Sequence, residues 1–158
     1  KRIQSSILPG NKIFENNLDD HFVFYKPRDV VSGDFYWIAE VEGHTVITAA
    51  DCTGHGVPGA FMSMLGVSFL REIVLKEYMT HPGVILKRLR KEIIKSLKQR
   101  SMSESANSTT SMGVKDGMDM ALLSIDHENN IVQFAGANNP LYLIRDGKLI
   151  EVEEAGIY

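Results

Sequence analysis

A chain of 158 residues with 44% hydrophobic content is long enough for one domain that buries most of its apolar surface, and too apolar for a disordered segment. Its net charge of −3 offers no long-range attraction to nucleic acid or an anionic membrane, so neither is expected as a partner. Cys52 is the only cysteine, which excludes an internal disulfide and a multi-cysteine zinc site and points to reducing, intracellular surroundings.

Both ends read as cut. Ile3 and Ile7-Leu8 keep a helical spacing with no N-cap before it, and Pro9-Gly10 stops it. Residues 1–9 are therefore predicted to be the end of an upstream linker helix and residues 10–158 a partial domain. No run approaches the ~18 apolar residues of a membrane span, and Lys1-Arg2-Ile3-Gln4 does not open a signal peptide. After a polar connector, His21 to Tyr25 reads as a strand closed by Pro27. Asp34 to Glu42 and His44 to Asp51 flank Gly43 and read as a hairpin.

A largely buried helix is predicted from Pro58 to about Met79, with Phe61, Met64, Leu65, Phe69, Ile73 and Val74 as its apolar surface. A second helix is expected from Pro82 to Arg100 on the stripe Ile85, Leu86, Leu89, Ile93 and Leu97, its basic face solvated. Ser101 to Lys115 reads as a loop. Strands resume over Met118 to Ile125 and Ile131 to Ala135, and Leu141 to Ile144 with Leu149 to Val152 form a hairpin around Asp146-Gly147. Strands, two helices, then strands again predict an α+β fold: a β-sandwich with helices on its outer face.

Asp34 and Asp51 stand almost equally far from Gly43, so antiparallel pairing sets them nearly opposite each other at one end of the hairpin. Two carboxylates about 5 Å apart in a partly buried place need a cation or a proton between them. Singly, each aspartate is a strand-end residue; as a facing pair with glycines beside both, they point to a divalent metal. The turn Gly54-His55-Gly56 frees the backbone there, so the Cys52 carbonyl can serve as a further ligand. Arg28 suits a phosphate beside such a site, because a guanidinium grips phosphate in bidentate fashion, or it lies on a loop surface. Asp119, close to Asp116, is a candidate for a supporting role near substrate, and Asn138 in the Ala135 to Pro140 connection either reaches a ligand or makes a turn. The glycines entering the first long helix resemble a phosphate cradle but lack the Gly-Lys-Ser/Thr of a nucleotide loop. His55 reads as a turn residue and the Cys52 thiol as buried filler.

Lys26-Pro27-Arg28-Asp29-Val30-Val31-Ser32-Gly33-Asp34-Phe35-Tyr36, Asp51-Cys52-Thr53-Gly54-His55-Gly56-Val57-Pro58-Gly59-Ala60, Asp116-Gly117-Met118-Asp119, the Gln4 to Pro9 helix end and Ala135 to Leu141 occur in the order seen in one family. Together they resemble the SpoIIE-like branch of the PPM-type metal-dependent serine/threonine phosphatases. The resemblance implies a four-layer α-β-β-α sandwich, two Mn²⁺ or Mg²⁺ ions, and a cytoplasmic enzyme that removes phosphate from phosphoserine or phosphothreonine with a metal-bound water. It makes Asp34, Asp51 and the Cys52 carbonyl metal ligands; Arg28, Asp119 and Asn138 remain the substrate-binding candidates read from the residues themselves. Its implied partner is a phosphorylated protein, and the cut first helix suggests an upstream sensory or receiver domain that could control homodimerisation. The family's Thr-Asp-Gly turn and Asp-Asp pair would follow Tyr158, so the last strands and part of the site are expected beyond this sequence. A non-catalytic phosphoprotein-binding or scaffold module is the alternative, and a nucleotide-binding domain a weaker third.

Overall fold

The structure is a computed structural model and describes residues 2–27, 29–104 and 117–152. Glu42 and Gly43 both adopt positive φ, 49° and 72°, the left-handed pair of a two-residue hairpin turn. They join β1 (Phe35–Val41) to β2 (His44–Cys52), with Val41 opposite His44 and Phe35 opposite Ala50. β3 (Met118–Asp126) pairs antiparallel with β2, and β4 (Ile131–Ala137) with β3, giving a sheet in the order β1-β2-β3-β4. β5 (Leu141–Arg145) and β6 (Lys148–Val152) form a separate two-stranded sheet around Asp146-Gly147.

Two short helices, α1 (Arg2–Ile7) and α2 (Asn11–Asn17), precede the sheet. Between β2 and β3 run α3 (Gly56–Leu70), its π-helical continuation Arg71–Lys76, and α4 (Pro82–Glu104). Successive strand residues point to opposite faces, and one face carries Phe35, Trp37, Ala39, Val41, Val46, Ala50, Cys52, Met120, Leu122 and Ala135. These join Leu70, Ile73, Val74, Ile85, Leu89 and Ile93 of the helices in a single core. Each such aliphatic side chain contributes about 1.5–3 kcal/mol of burial. The α+β architecture with antiparallel sheets expected from the sequence is therefore present, with α3 and α4 stacked on one face of the larger sheet.

Four expectations are corrected. His21 to Tyr25 forms no strand: Phe22 and Phe24 are 91% and 85% exposed, no neighbouring strand completes a ladder, and the segment instead stacks His21 on Phe14 and sets Tyr25 edge-on to Tyr36. The first long helix opens at Gly56 rather than Pro58 and widens into a π-helix after Leu70, where Glu77 N–H bonds the Glu72 carbonyl at 3.0 Å. Its buried side is Met62, Ser63, Gly66, Val67 and Leu70, while Phe61 is exposed. Small residues let this helix lie close to the sheet: a Cβ on Gly66 would come within 2.7 Å of Met118 and 3.0 Å of the Phe35 ring. Finally, α4 continues to Glu104, so Ser101 to Glu104 are helical, and the rest of the expected loop lies outside the described residues.

The helix Gly56–Lys76 is, by length and composition, apolar enough to cross a membrane, although scattered polar and charged residues interrupt its apolar run. Half of its most apolar stretch is buried, with Leu70, Ile73 and Val74 completely enclosed, as in a core helix. On α4, Arg88 hydrogen-bonds Glu77 at 3.2 Å and also Glu92, so part of the basic face is neutralised locally.

Candidate functional site

The strand registers gather the acids into one row. Continuing the β1–β2 ladder by one pair beyond Phe35 and Ala50 sets Asp34 opposite Asp51, and the β2–β3 ladder pairs Asp51 directly with Asp119. Asn138 ends the row at β4, its Nδ2 donating to Asp119 Oδ1 at 2.8 Å. By strand alternation the row lies on the face away from α3 and α4. All three aspartates keep solvent exposure. Of the residues singled out in the sequence, Asp34, Asp51, Asp119 and Asn138 are brought together; Arg28 and Asp116 lie outside the described residues.

The electrostatics follow from this crowding. Neighbouring chain takes water from the Asp51 carboxyl, and Asp34 both shares a hydrogen bond with it and repels its charge, with Asp119 adding a smaller repulsion. All four effects raise the Asp51 pKa above the ordinary carboxyl value. Ionised carboxylates this close repel one another, and a cation between them removes the repulsion. The donor set, hard oxygens from Asp34 and Asp51, fits Mg²⁺ or Mn²⁺. Among the described residues no three His, Cys, Asp or Glu side chains converge closely enough to cage an ion by themselves.

Backbone packing holds the row in place. A Cβ on Gly33 would sit 2.7 Å from the Cys52 carbonyl oxygen and 2.8 Å from that of Gly54, and one on Gly59 would sit 2.4 Å from the Gly54 oxygen. Only glycine permits this approach of the loop before β1 to the turn after β2. The Cys52 carbonyl therefore lies against the loop that carries Asp34. Ser32 Oγ accepts the Asp34 N–H at 3.1 Å, and Tyr25 Oη donates to the Asp34 carbonyl at 3.2 Å. Across the β2–β3 end, Thr53 and Gly117 exchange two bonds: Thr53 N–H to the Gly117 carbonyl and Gly117 N–H to Thr53 Oγ1, both 3.0 Å.

The Cys52 thiol is 2% exposed, and burial, with the charges of Asp51 and Asp34, pushes its pKa up to about 12. It stays protonated at neutral pH and is no nucleophile. His55 is the N-cap residue of α3 without a side-chain cap, and its Nδ1 lies 3.4 Å from Asp29. Tyr25, Ser32 and Thr53 were not recognised in the sequence. Only the Ser-Gly-Asp spacing signalled one of them, because a Ser hydroxyl readily bonds the amide two residues on.

The SpoIIE family profile, Stage II sporulation protein E, matches residues 41–157, well over half of the sequence. The chain belongs to the SpoIIE family. Among solved structures, this SpoIIE-family chain is similar to the SiaA PP2C domain of Pseudomonas aeruginosa, with a TM-score of 0.73 and 32% identity, covering 97% of this chain and 56% of that one. It shares a fold with the RsbU and RsbW domains of a Mycobacterium tuberculosis protein, with a TM-score of 0.55 and 21% identity over 82% of this chain and 32% of the other. The SpoIIE-family chain thus spans little more than half of the first relative and a third of the second. No curated protein sequence matches it. The SpoIIE and PP2C likeness establishes a phosphatase-type or regulatory fold of a class that generally depends on metal ions.

Proposed function

We propose that this chain takes part in the metal-dependent hydrolysis of phosphoserine or phosphothreonine on a signalling protein. The observation that carries the reading is the strand register that sets Asp34 opposite Asp51 at the hairpin end and Asp119 beside Asp51, a crowding of carboxylates that favours a divalent cation at neutral pH. Asp34, Asp51 and the Cys52 carbonyl would hold Mn²⁺ or Mg²⁺, two ions in the complete site. When bound, the ions supply Lewis acidity and neutralise charge as water displaces the serine or threonine oxygen from phosphorus.

This chain's residues prepare that chemistry. Asp34 and Asp51, set opposite each other by the β1–β2 register, supply the hard carboxylate oxygens. Asp119 brings a third negative charge beside Asp51 and holds the Asn138 amide. Arg28 and that amide are assigned to the phosphoryl oxygens. The partner is a phosphorylated protein and the setting cytoplasmic. In the full-length protein, Asp34→Asn and Asp51→Asn are each expected to reduce Mn²⁺-dependent release of phosphate from a phosphoserine peptide to background. Near-normal turnover in either variant would contradict the assignment.

A second reading, a phosphoprotein-binding module without turnover, draws on the lack of a three-carboxylate cage among the described residues. Saturable phosphopeptide binding with no phosphate release in Mn²⁺ distinguishes it from the first.

A further inference from the structure

Helix α1 reaches the row of acids through one side chain. Gln4 is 6% exposed, and its carboxamide closes on both backbone groups of Ser32: Oε1 accepts the Ser32 N–H at 3.0 Å and Nε2 donates to the Ser32 carbonyl. Nε2 also donates to Ser63 Oγ of α3 at 3.0 Å, and that hydroxyl bonds the Ala60 carbonyl at 2.9 Å. Ser32 is itself 6% exposed and bonds the Asp34 N–H through its own hydroxyl. Between the two, Gly33 is wedged against the Cys52 and Gly54 carbonyls. A displacement of Ser32 is therefore passed to Asp34 through the Ser32 hydroxyl and the intervening peptide units.

We propose that Gln4 is the positioning residue for Asp34: its two-way hydrogen bond with Ser32 sets the loop so that the Asp34 carboxyl stays opposite Asp51. The inference rests on the reading of Asp34 as a cation ligand. A carboxamide is the group for this task because it carries an acceptor and a donor side by side, matching the C=O and N–H of one residue. Methionine keeps the side chain's length and loses both bonds, while glutamate keeps the acceptor but turns an acceptor toward the Ser32 carbonyl. Residues that orient metal ligands change metal affinity on substitution by about 10–100-fold, a larger and more selective effect than a general loss of stability gives.

The test compares wild type, Gln4→Met and Ile93→Val in the full-length protein by two measurements. One is amide hydrogen exchange over Ser32 to Asp34 without metal; the other is calorimetric Mn²⁺ binding. Ile93, a buried core residue of α4, serves as a control that lowers stability from an element that carries none of the Gln4–Ser32 hydrogen bonds. Gln4→Met is expected to speed exchange at Ser32 and Asp34 and to weaken Mn²⁺ binding about 10–100-fold, with Ile93→Val doing neither. Unchanged exchange in Gln4→Met overturns the clamp whether or not metal binds. Faster exchange with unchanged Mn²⁺ affinity overturns the positioning role. No Mn²⁺ binding by wild type overturns the cation-ligand reading and the positioning role together, whereas the exchange result still reports on the clamp itself.

Discussion

Asp51 is the residue at which the chemistry of this chain is most constrained. Its carboxyl is crowded and faces Asp34 across a strand pair and Asp119 across the next, so its folded pKa is raised. A raised carboxyl pKa means that the protonated form is favoured in the folded state. The resulting stabilisation is fully present below the unfolded carboxyl value and disappears as pH rises through the folded one. Without metal, Asp51→Asn should therefore gain stability relative to wild type as pH rises from about 4 to 7, as read from urea midpoints. A constant difference between the two proteins across that range would contradict the carboxyl contact. Asp126 behaves in the opposite way: hydrogen bonds from Asn129 and Glu128 and the nearby His44 lower its pKa. The comparison with the Asp51 variant cancels that background, which both proteins share.

At the scale of elements, the junction between α3 and the turn after β2 sets the site. Gly59 lies one turn into α3, and a Cβ there would stand 2.4 Å from the Gly54 oxygen and 3.0 Å from the Gly33 Cα, both backbone atoms that cannot rotate away. Alanine would raise helix propensity by about 1 kcal/mol, but overpacking against fixed backbone costs about 1–3 kcal/mol. Gly59→Ala should thus destabilise, lowering the denaturant midpoint with an unchanged slope. A stabilised Gly59→Ala would show that the approach of loop and helix is looser than described.

How much of this was legible varies with the range of the contacts. The β1–β2 hairpin and its acids could be read because Glu42-Gly43 fixes register locally, and the α4 stripe because its polar face leaves one choice of buried side. The buried side of α3 could not, since that helix is apolar almost all round and its tight packing depends on small residues. His21 to Tyr25 has the composition of a strand but no partner to ladder with. Asp119 entered the row through a pairing that crosses two helices, Asn138 only through Asp119, and Gln4 through a contact spanning 28 positions, separations at which spacing carries no signal.

Across the whole molecule, one core fixes the sheet against α3 and α4, while the opposite sheet face carries the acids at its end. The stable side thereby supports an exposed row of carboxylates that repel one another when ionised. That arrangement suits a SpoIIE-family chain whose fold resembles a PP2C domain, a class that generally depends on metal ions. A cation that binds only the folded state raises stability by about 2.7 kcal/mol at one hundred times its dissociation constant. The row would then change from a liability into a support. The most direct measurement is a calorimetric titration of Mn²⁺ into metal-free protein at neutral pH, wild type against Asp34→Asn. Saturable binding in wild type that disappears in the variant is the predicted result; equal binding in both, or none in wild type, would contradict the account.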